Sequence, residues 1–285
     1  MDPLTQGVVG ATVSQQPANK KTILVATFLG FFSGLAPDLD IFIRSTNDPL
    51  LILEFHRQFT HSLIFIPVGG LICTILFYYL FAKRKGMTFK KTYIYSTLGY
   101  GTHGLLDSCT SYGTQLLWPF SDNRISWNTI SIVDPLFTLP ILVLIIFAAV
   151  KKNKIFSRLA LGWIIFYCIF GLVQKERAKE IGKQMAASRG HEPIEIVAKP
   201  SLGNLFVWKI IYSTKRNYYV DAVKVGINSK IYEGSKVRKL NVRESFPWLD
   251  SNSQQAKDIE RFRWFSGGYL ALSKKHQNRI IDIRY

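Results

Sequence analysis

Pro37-Asp38-Leu39-Asp40, His56-Arg57-Gln58-Phe59-Thr60-His61, His103-Gly104-Leu105-Leu106-Asp107 and Val133-Asp134-Pro135 hold nearly all the residues in the first half of the chain that can do chemistry. Imidazoles mixed with carboxylates, and no cysteine pair among them, are the donor set of a divalent metal. His103 and Asp107 are four apart, so on a helix they stand one above the other and can ligate one ion from one face. His56 and His61 are five apart, about 140° around a helix. Both can face the same point only if the chain is irregular before Thr60, and a Thr60 N-cap starting a helix at His61 would supply that break. Asp38 and Asp40, two apart after Pro37, point the same way in turn or extended structure at a helix end.

What must position these residues is a set of apolar segments, because each stretch lies at the end of one. Of the 285 residues, 48% are hydrophobic, yet 36 are Lys or Arg and the net charge is +17. Segregation reconciles the two: apolar residues crowd the first 174 positions, whereas from Lys175 onward basic residues outnumber acidic ones two to one. The expected organisation is a membrane domain over 1–174, a charged connecting helix over 175–190 and a basic extramembrane domain over 191–285. Cys73, Cys109 and Cys168 are too few and too scattered for a disulfide framework and read as packing residues, with a minor ligand role open to Cys109. The first sixteen residues lack the basic and apolar regions of a cleaved signal peptide.

Asp2-Pro3 is a helix start, and Gly7, Gly10, Ala11 and Ser14 form a small-residue face that another helix can approach closely. Apolar stretches follow at about 22–36, 62–82, 92–106, 130–150 and 159–173, giving about five to six membrane helices. Lys20-Lys21, Lys83-Arg84-Lys85, Lys90-Lys91, Lys151-Lys152, Lys154 and Arg158 fall on one set of connections, against Arg44, Arg57 and Arg124 on the other. The positive-inside rule assigns the first set to the cytoplasm. All the His and Asp residues above then lie on the opposite, periplasmic face, and by alternation so does the C-terminal domain. Trp118, Phe120 and Trp127 suit an interfacial anchor. Asp134-Pro135, Asp48-Pro49 and Asp2-Pro3 share one simple explanation, an Asp N-cap with proline in the first turn, although Asp134 and Asp2 also sit on the site face.

Beyond the membrane the charged helix should end at Gly190. Strands are expected at about 194–198, 205–212, 218–225 and 230–239, a helix at 251–265 and closing strands at 269–273 and 279–285. The fold class is therefore an α-helical multi-pass membrane domain followed by a small α+β domain rich in β-strand. His191 and His276 read as surface residues.

Asp2-Pro3-Leu4-Thr5, Pro37-Asp38-Leu39-Asp40, His56-Arg57 through Thr60-His61-Ser62, His103 through Asp107 and Thr110-Ser111-Tyr112-Gly113-Thr114 together resemble the YdjM-like family of predicted membrane-bound metal-dependent hydrolases over about 1–173. Members usually have His where this chain has Gln6, a poor ligand for a transition metal. The His-x-x-x-Asp spacing is also similar to that of zinc-dependent phospholipases C. The resemblance implies a hydrolase in the bacterial inner membrane, with a divalent metal, zinc first, as one or more ions held by His61, His103 and Asp107 with help from Asp38 or His56. Asp40 would take the proton of a metal-activated water, and Arg57 would orient a phosphate. A site at headgroup depth points to a lipid or lipid-linked ester or phosphodiester. The competing expectation is a metal-stabilised scaffold that binds a partner and closes its site with four protein ligands. Nucleic acid is not expected, because the basic domain carries no nucleic-acid motif and falls outside the cytoplasm. Oligomeric state is not legible.

Overall fold

The computed structural model describes residues 1–276 and 278–285. It divides into two compact units: Met1–Ile43 with Phe55–Val173 and Pro200–Leu205, and Arg44–Glu54 with Gln174–Lys199 and Phe206–Tyr285.

The first unit is helical. Helix α1 (Pro3–Gln15) starts as expected, with Asp2 accepting from the Thr5 amide at 3.0 Å. Its small residues meet α2 (Ile23–Leu35). A Cβ on Gly10 would fall 2.4 Å from the Gly30 carbonyl oxygen, and one on Gly99 of α5 (Phe89–Ser108) 2.5 Å from the same atom. Three backbones therefore meet at one point, which only glycine permits. Ser14 fastens the crossing by donating to the Tyr95 carbonyl at 2.7 Å. The crossing also aligns the end of α2 with the end of α5. At the end of α2, Pro37 has no amide hydrogen to extend the ladder, and the chain tightens into a 3-10 turn over Ala36–Phe42 that carries both aspartates.

No helix begins at His61. Phe59–His61 and Leu63–Phe65 are separate 3-10 turns, and α-helix resumes only at α4 (Ile66–Phe77), with Pro67 in its first turn. The Thr60 hydroxyl, expected as a cap, instead donates to Asp40 Oδ2 at 2.8 Å. The irregularity that brings His56 and His61 to the same side is Arg57, whose φ of 67° is left-handed. That conformation costs a non-glycine residue about 1–2 kcal/mol, offset here by the Arg57 amide's bond to Asp40 Oδ2 at 3.1 Å. Between α2 and α4, the Arg44–Glu54 segment belongs to the second unit and carries most of the short α3 (Leu51–Phe55).

Helix α6 (Pro135–Lys151) is capped by Asp134, and α7 (Lys154–Ser188) runs unbroken for 35 residues. Three segments are long and apolar enough to cross a membrane among the described residues: Ile23–Phe42, Leu63–Lys85 and Lys154–Ser188. This is fewer than the five to six read from sequence. Helix α6 is apolar but has only 17 residues, and α5 has the length but buries Thr92, Ser96, His103 and Asp107 along one side. The outward faces are hydrocarbon, with Leu71, Ile72, Ile75 and Leu76 on α4 and Leu139, Val143 and Ile146 on α6 all exposed, as lipid-facing helices require.

The second unit contains the last part of α7 and two antiparallel sheets. The larger has strand order β1 (Glu195–Pro200), β2 (Val207–Ser213), β3 (Asn217–Val225), β4 (Ser229–Arg238). Gly182 of α7 faces Ile210, where a Cβ would meet the Ile210 side chain at 2.8 Å. The β3–β4 register slips between Val220 and Ala222, and the intervening Asp221 turns inward. There it takes Arg189 bidentately at 2.7 and 3.1 Å and the Gly234 amide at 2.8 Å, a paired charge rather than a stranded one. Two short helices, α8 (Val242–Ser245) and α9 (Gln254–Phe265), precede the hairpin of β5 (Leu270–Leu272) and β6 (Ile280–Asp282). Arg261 of α9 ties down the Arg44–Glu54 segment through Asp48 at 2.8 Å and Glu54 at 2.5 Å. Asp48 also caps locally, accepting from the Leu50 amide at 3.1 Å.

Candidate metal centre

His103 and Asp107 come from one face of α5, His61 from the turn before α4, and Asp38 from the turn after α2. Their ligand atoms all lie within 4.8 Å of one another. His103 Nε2 is 3.3 Å from Asp38 Oδ1 and 3.7 Å from Asp107 Oδ2, and His61 Nε2 is 3.5 Å from each of the same two oxygens. Four donors at about 2.0–2.1 Å from a tetrahedral ion stand about 3.3–3.4 Å apart, so the spacing fits one cation. His61 Nε2 and His103 Nε2 are buried without a hydrogen-bond partner among the described residues, and Asp107 Oδ2 has only the ion pair with Arg57 Nε at 3.0 Å. Leaving the two imidazole nitrogens unpaired would cost several kcal/mol, and a cation shared with the carboxylates would satisfy both.

The far nitrogen of each imidazole is also fixed. His103 Nδ1 lies 2.6 Å from the Gly34 carbonyl oxygen, which assigns it the proton. His61 Nδ1 faces Asp40 Oδ2 at 3.2 Å. A carbonyl or carboxylate behind a ligating histidine leaves Nε2 as the free lone pair and sets the ring's orientation. Burial alone would push His61 toward its neutral form, but the carboxylates of Asp107, Asp38 and Asp40 overcome it and raise the imidazole to about 10. A metal must therefore displace a proton from it.

Asp40, expected to take a proton from the water, gathers four donors. Its Oδ1 bonds His56 Nδ1 at 2.7 Å, and its Oδ2 takes the Thr60 hydroxyl and the Arg57 amide besides His61. It thereby organises the turn. His56 stands outside the four-donor group. With Asp38 and Asp40 it forms a second group that shares Asp38 and could itself hold an ion, and its Nδ1 lies 2.7 Å from Asp40 Oδ1. The Arg57 side chain is buried: Nε lies 3.0 Å from Asp107 Oδ2, Nη1 donates to Thr110 at 3.2 Å, and the guanidinium stacks 4.6 Å from the Tyr112 ring centroid. Gln6, where the resemblance implies a histidine, donates to Asp107 Oδ1 at 2.9 Å, and the Met1 amino group contacts the same oxygen. Gln6 thus holds a ligand rather than being one.

The fourth stretch does not join the cluster. Asp134 Oδ1 caps α6 through the Leu136 and Phe137 amides, and Oδ2 accepts from the Tyr167 hydroxyl at 2.7 Å. The capping explanation suffices for it and for Asp2. Sequence reasoning missed Thr60 as a partner of Asp40 and Thr110 as a partner of Arg57. Their only signal was a hydroxyl within three residues of a ligand.

The arrangement is that of a membrane-embedded helical protein with a buried histidine–carboxylate centre. The chain belongs to the family described as YdjM inner membrane protein, which matches residues 1–178. It is 24% identical over 282 residues to the "Uncharacterized protein YfhP" of Bacillus subtilis (strain 168), covering 96% of this chain and 80% of that protein. It is 32% identical over 109 residues to the "Inner membrane protein YbcI" of Escherichia coli (strain K12), covering 37% of this chain and 61% of that one. No solved structure matches the chain.

Proposed function

We propose that this protein is a membrane-bound metal-dependent hydrolase acting on a lipid or lipid-linked ester or phosphodiester, with zinc as its ion. The observation that carries the reading is the asymmetry of the donor set. The side chains of His61, His103 and Asp107 are fully buried, whereas that of Asp38 is 26% exposed. With the fourth ligand on the exposed side, a water could reach the ion there as an added ligand, which a site enclosed on all sides would not allow. His61, His103, Asp107 and Asp38 would hold the divalent ion, which would supply a water of lowered pKa and polarisation of the bond under attack. His56, partly exposed and held by Asp40 at 2.7 Å, is the proton acceptor, and the carboxylate behind it stabilises the imidazolium that forms. Arg57, with Nε 3.0 Å from Asp107 Oδ2, neutralises that carboxylate.

The remaining parts of the proposal follow from sequence. The shorter apolar helix α6 and the polar-sided α5 cross with the three longer segments, sheltered by their neighbours, for about five to six crossings in all. The basic connections lie in the cytoplasm, which gives the centre a periplasmic, headgroup-level address. The four-donor cluster also favours a second reading, a structural site closed by Asp38 in a non-catalytic scaffold.

One experiment separates the two. Protein purified in detergent is assayed for release of phosphate or fatty acid from mixed bacterial lipids, with and without chelator, alongside His56→Ala and a His103→Ala, Asp107→Ala double variant. The hydrolase reading expects chelator-sensitive release, a loss of about 10²–10⁴-fold in His56→Ala with metal retained, and none in the double variant. Bound metal without release from any lipid, or full release in the double variant, overturns it.

A further inference from the structure

An apolar cavity of about 550 Å³ lies in the first unit, walled by Phe32 and Leu35 of α2, Ile72 and Leu76 of α4 and Tyr100 of α5. Leu39 and Thr60 also line it. Leu39 stands between Asp38 and Asp40 in the chain, and Thr60 immediately precedes His61 and bonds Asp40 at 2.8 Å. The cavity and the metal centre therefore share a wall. The Tyr100 hydroxyl donates to the Thr60 carbonyl at 2.8 Å, so what the lining presents inward is hydrocarbon. Its rim is open on the outside: Phe32, Leu39, Ile72 and Leu76 are 41%, 63%, 57% and 53% exposed. All four lie on the segments Ile23–Phe42 and Leu63–Lys85 that are long and apolar enough to span a bilayer. Water has no polar partner there, and the volume suits a single flexible ligand.

We propose that this groove is the acyl subsite of the centre: one hydrocarbon tail of a lipid enters sideways from the bilayer between α2 and α4, and its ester end lies against the Asp38 face. The inference rests on the hydrolase reading and narrows its substrate to molecules with at least one long acyl or similar tail. A water-soluble ester of the same headgroup chemistry, having nothing to fill the groove, is a poor substrate.

The test is photolabelling of the full chain in nanodiscs containing a small fraction of phospholipid with a diazirine on one acyl chain, with adducts mapped by mass spectrometry. Adducts are expected to concentrate on Leu35 and Cys73 over the lipid-facing Val143 and Ile146 of α6. Ile72→Trp and Leu76→Trp, which fill the groove, should each cut the Leu35 and Cys73 adducts at least tenfold, while Ile75→Trp, exposed on α4 but off the groove, leaves them unchanged. Unaltered metal content in all three variants shows that the centre is intact. Labelling spread evenly over α4 and α6, or insensitive to both tryptophans, means annular lipid contact only and overturns the proposal. Labelling needs neither ion nor turnover, so concentrated adducts in a protein that hydrolyses nothing support the acyl groove and reject the hydrolase, whereas chelator-sensitive hydrolysis with even labelling rejects the groove alone.

Discussion

Replacing Asp40 with Asn separates the residue that arranges the centre from those that bind the ion. The carboxylate receives His56 Nδ1 at 2.7 Å, the Thr60 hydroxyl at 2.8 Å, the Arg57 amide at 3.1 Å and His61 Nδ1 at 3.2 Å. Asparagine keeps the volume but has one acceptor oxygen where four donors converge, and its NH₂ group repels whichever imidazole N–H it meets. His61 then loses the partner that fixes its tautomer and ring plane, while its Nε2 is still present. Loss of such a supporting contact weakens metal binding by about 10–100-fold, or about 1.4–2.7 kcal/mol. His103→Ala removes a donor outright and should cost more. The assay is competition with a chromophoric chelator in detergent, with circular dichroism confirming that helix content is kept. Zinc affinity of Asp40→Asn within threefold of the parent would refute an orienting role. A loss as deep as that of His103→Ala would make Asp40 a ligand in its own right.

Four further outcomes follow from the structure. Because His61 keeps its proton up to about 10 and must lose it to bind an ion, zinc affinity should rise with pH by up to about tenfold per unit between pH 6 and 8, and a flat titration would remove His61 from the ligand set. In chelator-treated protein the sign for stability is opposite. A proton affinity raised above the ordinary 6.5 stabilises the fold below that pH, and the contribution is lost as pH climbs toward 10. Gly30→Ala drives a methyl into the crossing of α1 and α2, where Ser14 Oγ and the Gly10 carbonyl lie 2.4 and 2.5 Å from the new atom. It should cost about 1–3 kcal/mol, read as a lower thermal midpoint together with weaker zinc retention; an unchanged midpoint would deny the close approach. In the second unit, Arg189→Met leaves the buried Asp221 without its bidentate partner and should destabilise by about 2 kcal/mol, read from protection of the β3 amides in hydrogen exchange. Equal protection would mean that the pair contributes nothing.

What the sequence disclosed was whatever local spacing encodes. The four-residue interval of His103 and Asp107 is a helical interval, so one face could be inferred before any fold was known. The five-residue interval of His56 and His61 announced an irregular turn, but not that Arg57 would supply it through a left-handed φ, since that depends on Asp40 waiting to receive its amide. Gly10 and Ser14 signalled a close helix contact, while the partners Gly30 and Gly99 come from distant segments and could not be matched by spacing. Asp134 shows the opposite failure. Its position beside the membrane face suggested a shared role, and the Tyr167 hydroxyl that occupies it instead lies in α7, more than thirty residues on. The hydrogen bonds of Asp40 were hidden for the same reason: carboxylates that ligate, accept protons or orient neighbours look alike in sequence. The strands of the second unit were legible because alternation and turn residues are local, whereas the inward turn of Asp221 depends on a register slip that only pairing with β4 creates.

The central claim is that Asp38, His61, His103 and Asp107 hold one ion together. X-ray absorption at the zinc edge of the purified, zinc-loaded protein tests it most directly. The account predicts one zinc per chain with nitrogen and oxygen neighbours at about 2.0–2.1 Å and the outer-shell scattering of two imidazoles, halved in His103→Ala. A sulfur neighbour at about 2.3 Å, a site with no imidazole signature, or a spectrum unchanged by His103→Ala would contradict it.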